Sequence, residues 1–279
     1  MKPEWIEVVL ALAQRAGQAT LPYHQGWNSD QDSRVKLPMS VTRKADNSPV
    51  TLADLAANQL IVEGLAKMTP EVPVVSEELP ESEIYRRANG RFWLVDPLDG
   101  TREFVSGGDD FTVNIALIED GRSVWGAVYA PILKLMYWGA RASGSFRRRN
   151  GKTDALRVSA LPTGHSAFRV VASKSHLNTG TRSFIDHLGH VDLVQAGSSL
   201  KFCLVAQGDA DVYPRLGDTA EWDTAAAHAV LEGAGGVVCD LDGNTLSYGK
   251  PNVLNPYFIA ASSHPRTWLR DWRHDQSAQ

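Results

Sequence analysis

Cysteine is nearly absent: Cys203 and Cys239 are the only two in 279 residues, and each sits inside an apolar segment. That excludes a disulfide framework and a cysteine-based zinc site, and a reducing compartment is the natural setting. Long apolar runs are lacking too, so no segment is expected to span a bilayer. The N-terminus has no basic region leading into an uninterrupted apolar core. Instead Ile6, Val9, Leu10, Ala13 and Ala16 recur at helical spacing with Glu7 and Gln14 between them. This pattern reads as an amphipathic helix rather than a signal peptide, and a cytoplasmic location is expected. An excess of positive charge is also missing, with 28 Lys and Arg against 32 Asp and Glu. The formal charge of −4 gives no global attraction to a nucleic-acid polymer or an anionic membrane. One short basic run, Arg147-Arg148-Arg149, is expected at a solvated hairpin tip, with a phosphate-facing patch as the alternative.

What is present is a folding composition, 43% hydrophobic and 22% charged, with room for one large domain or two ordinary ones. Helices are expected over about residues 3–19 and after Thr51, the second with Leu55, Val62, Leu65 and Ala66 on one face. The polar stretch Gly26–Pro49 between them reads as a mobile loop. Short strands Val72–Val75 and Phe92–Val95 lead into Glu77 and Asp96. Phe111–Ile118, Ser123–Ala130 and Leu135–Gly139 are strand-like, the first two joined by the hairpin signal Asp120-Gly121. After about residue 155 short apolar strands (170–172, 193–195, 212–213, 237–239, 258–260) alternate with helices near 199–207 and 222–233, as in an α/β half. The boundary is placed at Asn150–Thr153, dividing residues 1–152 from 153–279, with Ala155–Gly164 nearly as good.

The chemistry concentrates in acids at element ends. In Asp96-Pro97-Leu98-Asp99-Gly100-Thr101, Pro97 drives Asp96 out of the helical region and ends the strand. Pro97 and Gly100 then favour a turn that returns the Asp99 carboxylate beside that of Asp96, with the Leu98 carbonyl close by. Hard oxygen ligands on one turn suit Mg²⁺. Taken singly, each acid has another explanation. Asp96 and Asp99 can bond their own turn, and Glu77 can be a surface residue at a strand end. Asp54 matches a capping box with Thr51, and Asp223 sits in a helix first turn that favours acids. Together they converge on one cleft.

These motifs carry a resemblance. Ser76-Glu77-Glu78, Asp96-Pro97-Leu98-Asp99-Gly100-Thr101 and Trp222-Asp223-x-Ala225-Ala226 resemble the Mg²⁺-dependent, lithium-sensitive inositol monophosphatase superfamily. Lys44–Asp54, Glu103-Phe104, Phe111–Ile118 and Gly197-Ser198-Ser199-Leu200-Lys201-Phe202-Cys203 are similar to its CysQ-type 3′(2′),5′-bisphosphate nucleotidases. The likeness spans about residues 5–260; a longer loop, Gly26–Ser40, and a polar tail after Ser262 depart from it. It implies an α+β fold, a layered αβαβα sandwich with an antiparallel N-terminal half and an α/β C-terminal half, and a site between them. It also implies metal ligands at Glu77, Asp96, Asp99, Asp223 and the Leu98 carbonyl, Asp54 for an additional ion, and Thr101 as the hydroxyl that helps activate water. The implied substrate is adenosine 3′,5′-bisphosphate, a by-product of the use of activated sulfate, with inositol phosphates and fructose 1,6-bisphosphate as the sister alternatives.

Two or three Mg²⁺ ions are expected, Glu77 and Asp96 holding the first and Asp96, Asp99 and Asp223 the second. The amides of Gly100 and Thr101 are expected to receive phosphate oxygens. Lys201, with Ser198 and Ser199, is the leading candidate for the second phosphate; Ser173, His176 and Arg215, at strand ends, are further substrate contacts. His165, His187, His190, His228 and His264 have no paired metal spacing and are expected to be structural or exposed. The expected partner is a small nucleotide bisphosphate, bound by a monomer or homodimer with at most loose peripheral contact with the inner membrane.

Overall fold

Pro3 opens α1 (Pro3–Thr20), whose inner stripe of Trp5, Val9, Leu10, Leu12, Ala13 and Ala16 is buried. The computed structural model describes residues 2–25, 41–43, 49–163, 166–173 and 177–269. Most of the expected loop Gly26–Pro49, together with His165, His176 and the end of the tail, lies outside them. Among the described residues, β1 (Val41–Arg43) pairs antiparallel with β2 (Pro49–Thr51). The chain then enters α2 (Leu52–Met68) through the capping box foreseen at Thr51 and Asp54. The buried side of α2 is Ala53, Ala57, Ile61 and Leu65, whereas Leu55 and Ala66, expected inside, are exposed. Close approach to α1 explains the difference, since a Cβ on Gly64 would lie 2.3 Å from Leu12. Gly64 leaves room for Leu12 at that approach, with Ala57, Ile61 and Leu65 turned into the core and Leu55 turned out.

Both helices cover one face of a seven-stranded sheet, where their apolar side chains join Trp93, Val95, Ile115, Leu117 and Trp125 in one core. Its strands are β3 (Val74–Ser76), β4 (Arg91–Asp99), β5 (Thr112–Glu119), β6 (Arg122–Ala130), β7 (Leu135–Ala140), β8 (Gly144–Arg149) and β9 (Lys152–Ala155), in that spatial order. Only β3 and β4 run parallel within it. A short helix, α3 (Thr101–Val105), separates β4 from β5. At the hairpin between β5 and β6, Asp120 and Gly121 both have positive φ, +46° and +73°, as a two-residue turn requires. The basic run departs from expectation. Arg147–Arg149 lies within β8, and the tip is Asn150-Gly151. Arg148 bonds Glu7 and its guanidinium lies over the Trp138 ring, so its charge is used on the strand.

The second sheet holds β10 (Phe168–Ser173), β11 (Val191–Ala196), β12 (Val212–Arg215), β13 (Val237–Asp240) and β14 (Phe258–Ala261), ordered β11-β10-β12-β14-β13. Parallel pairs on one side and antiparallel pairs on the other make it mixed. Alternate residues of these strands serve two cores. Val171, Tyr213 and Ala260 face α5 (Leu200–Ala206), α6 (Glu221–Gly233) and the first sheet. Val170, Val212 and Ile259 face α4 (Thr179–Leu188) through Phe184. The order of layers is therefore α1/α2, first sheet, α5/α6, second sheet, α4: an αβαβα sandwich. Because α6 comes late in the sequence yet packs on the first sheet, the two-part division of the chain stays a proposal. Among the described residues no helix is long and apolar enough to cross a membrane.

Candidate active site

The site grows from a defect in β4. Pro97 has no N–H to give to β5, and the register between the two strands shifts between Asp96 and Asp99. The strand thus continues to Asp99 across a bulge, where an end at Asp96 was expected. Asp96 Oδ1 accepts the Leu98 amide at 3.0 Å. Gly100, at φ +92°, turns the chain into α3, and a Cβ there would meet the Asp110 carbonyl at 3.2 Å. The Thr101 hydroxyl then lies 3.3 Å from the Leu98 carbonyl and 3.4 Å from Asp54 Oδ1.

Two other elements deliver acids to this turn. Glu77 follows β3, the strand parallel to β4, and its amide donates to the Val95 carbonyl at 3.2 Å. Asp223, in the first turn of α6, accepts the Ala220 amide at 2.9 Å. One carboxylate oxygen each from Glu77, Asp96 and Asp223 lies within 4.8 Å of the other two. Burial pushes the Asp96 carboxyl well above the usual carboxylate range, and the charges of Glu77, Asp99 and Asp223 push it further. Asp223 is raised well above that range too, by burial and then by Asp99 and Glu77. Asp99 is raised by burial, against the opposing pull of Lys201 and the hydrogen bonds from Ser199 and Asn114. Desolvated like charges this close are costly. An all-oxygen donor set of this charge fits a hard divalent cation, which reverses that cost.

Around the acids lies a cleft of about 250 Å³. Residues 1–274 match the model of the inositol monophosphatase family. The chain belongs to the inositol monophosphatase family. It is 45% identical over 255 residues to the 3′(2′),5′-bisphosphate nucleotidase CysQ of Salmonella typhimurium, covering 91% of this chain and 98% of that one. The corresponding protein of Escherichia coli K12 is 44% identical with the same coverage. Among solved structures, CysQ from Bacteroides thetaiotaomicron superposes with a TM-score of 0.76 at 36% identity, covering 91% of this chain and 96% of the other. Family membership and the carboxylate group together indicate the use of divalent metal.

In this inositol monophosphatase family member the fold gathers most of the anticipated residues. Glu77, Asp96, Leu98, Asp99, Gly100 and Thr101 line one wall of the cleft, and Asp223 closes it. Ser173, Ser198, Lys201 and Arg215 line the rest. Asp54 reaches the site through Thr101, while its other oxygen takes the Thr51 amide at 2.8 Å and hydroxyl at 2.5 Å. Burial raises its pKa against those bonds. Lys201 is buried, donates to the Ser198 carbonyl at 2.7 Å and sits 5.3 Å from the Tyr213 ring. The Arg215 guanidinium is held by Thr219 Oγ1 at 2.6 Å and the Asp218 carbonyl at 2.7 Å. His228 is buried against the Tyr248 hydroxyl, 2.7 Å away and outside the cleft lining.

Sequence reasoning gave no site role to Arg102, Glu103, Phe202, Tyr213 and Thr219, which also line the cleft, or to Asn114, which supports it. Asn114 Nδ2 lies 3.4 Å from Asp99 Oδ2 and 2.9 Å from Ser199 Oγ. A lone amide in the middle of the apolar strand β5 was the signal for it.

Proposed function

We propose that this protein is a Mg²⁺-dependent phosphatase that removes the 3′-phosphate of adenosine 3′,5′-bisphosphate to give AMP and phosphate. The observation that carries the reading is the Glu77–Asp96–Asp223 group, in one cleft with a buried Lys201, in a chain that matches nucleotidases over nearly their whole length. Sulfur assimilation is the process that would generate this substrate, and its hydrolysis to AMP would serve nucleotide recycling. A cytoplasmic setting, supported by two unpaired buried cysteines, belongs to the same proposal.

Glu77 and Asp96 would hold one Mg²⁺ and Asp96, Asp99 and Asp223 a second, with the Leu98 carbonyl as a further ligand and Asp54 serving an additional ion. When bound, the cations acidify water and neutralise charge on the phosphoryl group and its leaving oxygen. Thr101 orients the attacking water. Its hydroxyl proton points to Asp54 Oδ1 or the Leu98 carbonyl, which turns its lone pairs toward the cleft. Glu77, with Asp54 nearby behind Thr101, takes up the water's proton; burial raises the Asp54 pKa, which suits a proton acceptor. The amides of Gly100 and Thr101 receive the phosphate oxygens. Lys201, with Ser198, meets the second phosphate, and Arg215 and Ser173 border the nucleoside. Attack is direct and in line, with the water that Thr101 orients as the nucleophile.

Phosphate release from adenosine 3′,5′-bisphosphate, inositol 1-phosphate and fructose 1,6-bisphosphate under Mg²⁺ tests the reading. The nucleotide is expected to lead inositol 1-phosphate by on the order of 100-fold in kcat/KM, the discrimination a buried charge gives against a substrate lacking its partner. Faster turnover of inositol 1-phosphate overturns the substrate assignment.

A further inference from the structure

Glu221 opens α6 two residues before Asp223 and is completely buried. Side chains two apart on a helix leave it about 200° apart, so while Asp223 turns to the cleft Glu221 turns the other way. Its Oε2 accepts the Gly249 amide at 2.8 Å and Arg86 Nη1 at 3.4 Å. Its Oε1 accepts the Lys250 amide at 3.0 Å and the Lys250 ammonium at 2.5 Å. Arg86 also donates to the Lys250 carbonyl. The ammonium continues to Asn255 Oδ1 at 3.1 Å, and Asn255 Nδ2 returns to the Ala220 carbonyl at 3.0 Å and the Thr224 hydroxyl at 2.9 Å. Residues on both sides of Asp223 are therefore tied into one charged cluster.

The cluster also reaches Glu77. Arg86 ends the 3₁₀ turn Pro80–Tyr85, which begins three residues after Glu77. Within that turn the Ser82 hydroxyl accepts the Ser76 amide at 3.1 Å and donates to the Leu79 carbonyl at 2.6 Å. Glu77 and Asp223 come from distant parts of the chain, and their carboxylates repel one another across the cleft. A brace between their backbones has to resist that repulsion. Buried ion clusters of this kind add little stability over well-packed apolar groups, but removing one member leaves an uncompensated charge. Their contribution is placement.

We propose that Glu221, Arg86 and Lys250 form a positioning clamp that fixes Asp223 against Glu77 and so sets the affinity of the site for metal. This inference rests on reading the carboxylate group as a metal site.

Mn²⁺ titrated into the metal-free full-length protein, followed by loss of the free-ion electron paramagnetic resonance signal, tests it without substrate. Glu221→Gln and Arg86→Gln are expected to weaken Mn²⁺ binding about tenfold or more, the usual effect of groups that orient metal ligands. The Mg²⁺ concentration for half-maximal turnover should rise by the same factor, with KM for the nucleotide changed less than about twofold at saturating Mg²⁺. Arg86→Lys should recover part of the loss. Should Glu221→Gln not fold, Lys250→Met, which removes a partly exposed cation, is expected to weaken binding in the same direction. Wild-type Mn²⁺ affinity in folded variants overturns the clamp, even if their melting temperature falls. A wild type that binds Mn²⁺ but spares the nucleotide overturns only the substrate reading; one that binds no Mn²⁺ overturns the clamp as well.

Discussion

The Ser199 amide donates to Asp99 Oδ2 at 2.7 Å, joining residues 100 positions apart in the chain. Ser199 Oγ lies 3.1 Å from the same carboxylate oxygen, 2.8 Å from the Asp223 carbonyl and 2.9 Å from Asn114 Nδ2. A hydroxyl has one proton, so it bonds one acid segment at a time while accepting from Asn114. Ser199 is thereby a bridge between the Asp96–Asp99 turn and α6, and it is absent from the cleft lining itself. Ser199→Ala keeps the amide bond and removes the hydroxyl. It is expected to weaken metal activation about tenfold and leave KM for the nucleotide nearly unchanged. Mg²⁺ dependence of initial rates separates this from a direct substrate contact, which would move KM first.

Metal removal and pH are linked through Asp96 and Asp223. Both carboxyls have folded pKa values above their unfolded ones. Their contribution to stability is therefore present below the ordinary carboxylate pKa and lost as pH rises through the raised folded values. Metal-free protein should lose stability as pH rises above the ordinary carboxylate range, and added Mg²⁺ should raise the melting temperature more at higher pH. Asp96→Asn removes one charge from the crowded group. The metal-free variant should melt about 2–4 °C higher than wild type at about pH 8, the shift expected for roughly 1 kcal/mol. It should also lose the response to Mg²⁺ and fall on the order of 10³-fold in turnover. Melting curves with Mg²⁺ and with EDTA across pH check both signs, and a metal-free wild type indifferent to pH counts against the electrostatic account.

Much of this site was legible from local rules. Proline and glycine determine the Asp96–Thr101 turn within a few residues, and the Thr51–Asp54 capping box formed as its spacing required. What escaped notice depends on neighbours. The inner face of α2 is set by contact with Leu12 of α1, which no periodicity within α2 reveals. The helix α4 went unseen because Thr-Gly-Thr-Arg-Ser opens it with weak helix formers, and only Thr181 and Phe184 are buried. Arg147–Arg149 looked like a turn because charge hid a strand whose side chains bond Glu7, Asp154 and Gln207. Asn114 and Ser199 acquire their role only when two sheets meet.

Lys201 offers a prediction about substrate choice. Burial lowers its pKa to about 8, although Asp99 pulls the other way. The cation is present below that pH and lost as pH rises through it. Lys201→Met should lower kcat/KM for adenosine 3′,5′-bisphosphate by about 30- to 100-fold, the cost of removing one partner of a buried charge pair. Turnover of inositol 1-phosphate, which has no second phosphate, should stay within about threefold. In wild type, KM for the nucleotide should climb above about pH 8, and in Lys201→Met that climb should vanish. Parallel losses on both substrates would place Lys201 at the scissile phosphate instead.

The seat of α6 gives a last prediction, one that joins packing to chemistry. A Cβ on Gly126 of β6 would lie 2.1 Å from the Ala226 carbonyl oxygen and 2.7 Å from its Cα. The helix backbone therefore rests directly on the sheet, and Ser123 and Ser145 hydroxyls bond the Ala225 and Val230 carbonyls at 2.7 and 2.6 Å. Small residues on both surfaces make this approach close enough to hold Asp223 firmly. Gly126→Ala cannot be absorbed by a side-chain rotation, because the clash is with backbone. The helix must shift, at a cost of about 1–3 kcal/mol measured by urea unfolding. Since Asp223 rides on α6, the Mg²⁺-induced gain in melting temperature should shrink as well. Lost stability with an intact Mg²⁺ response would show that the seat of the helix and the placement of Asp223 are independent.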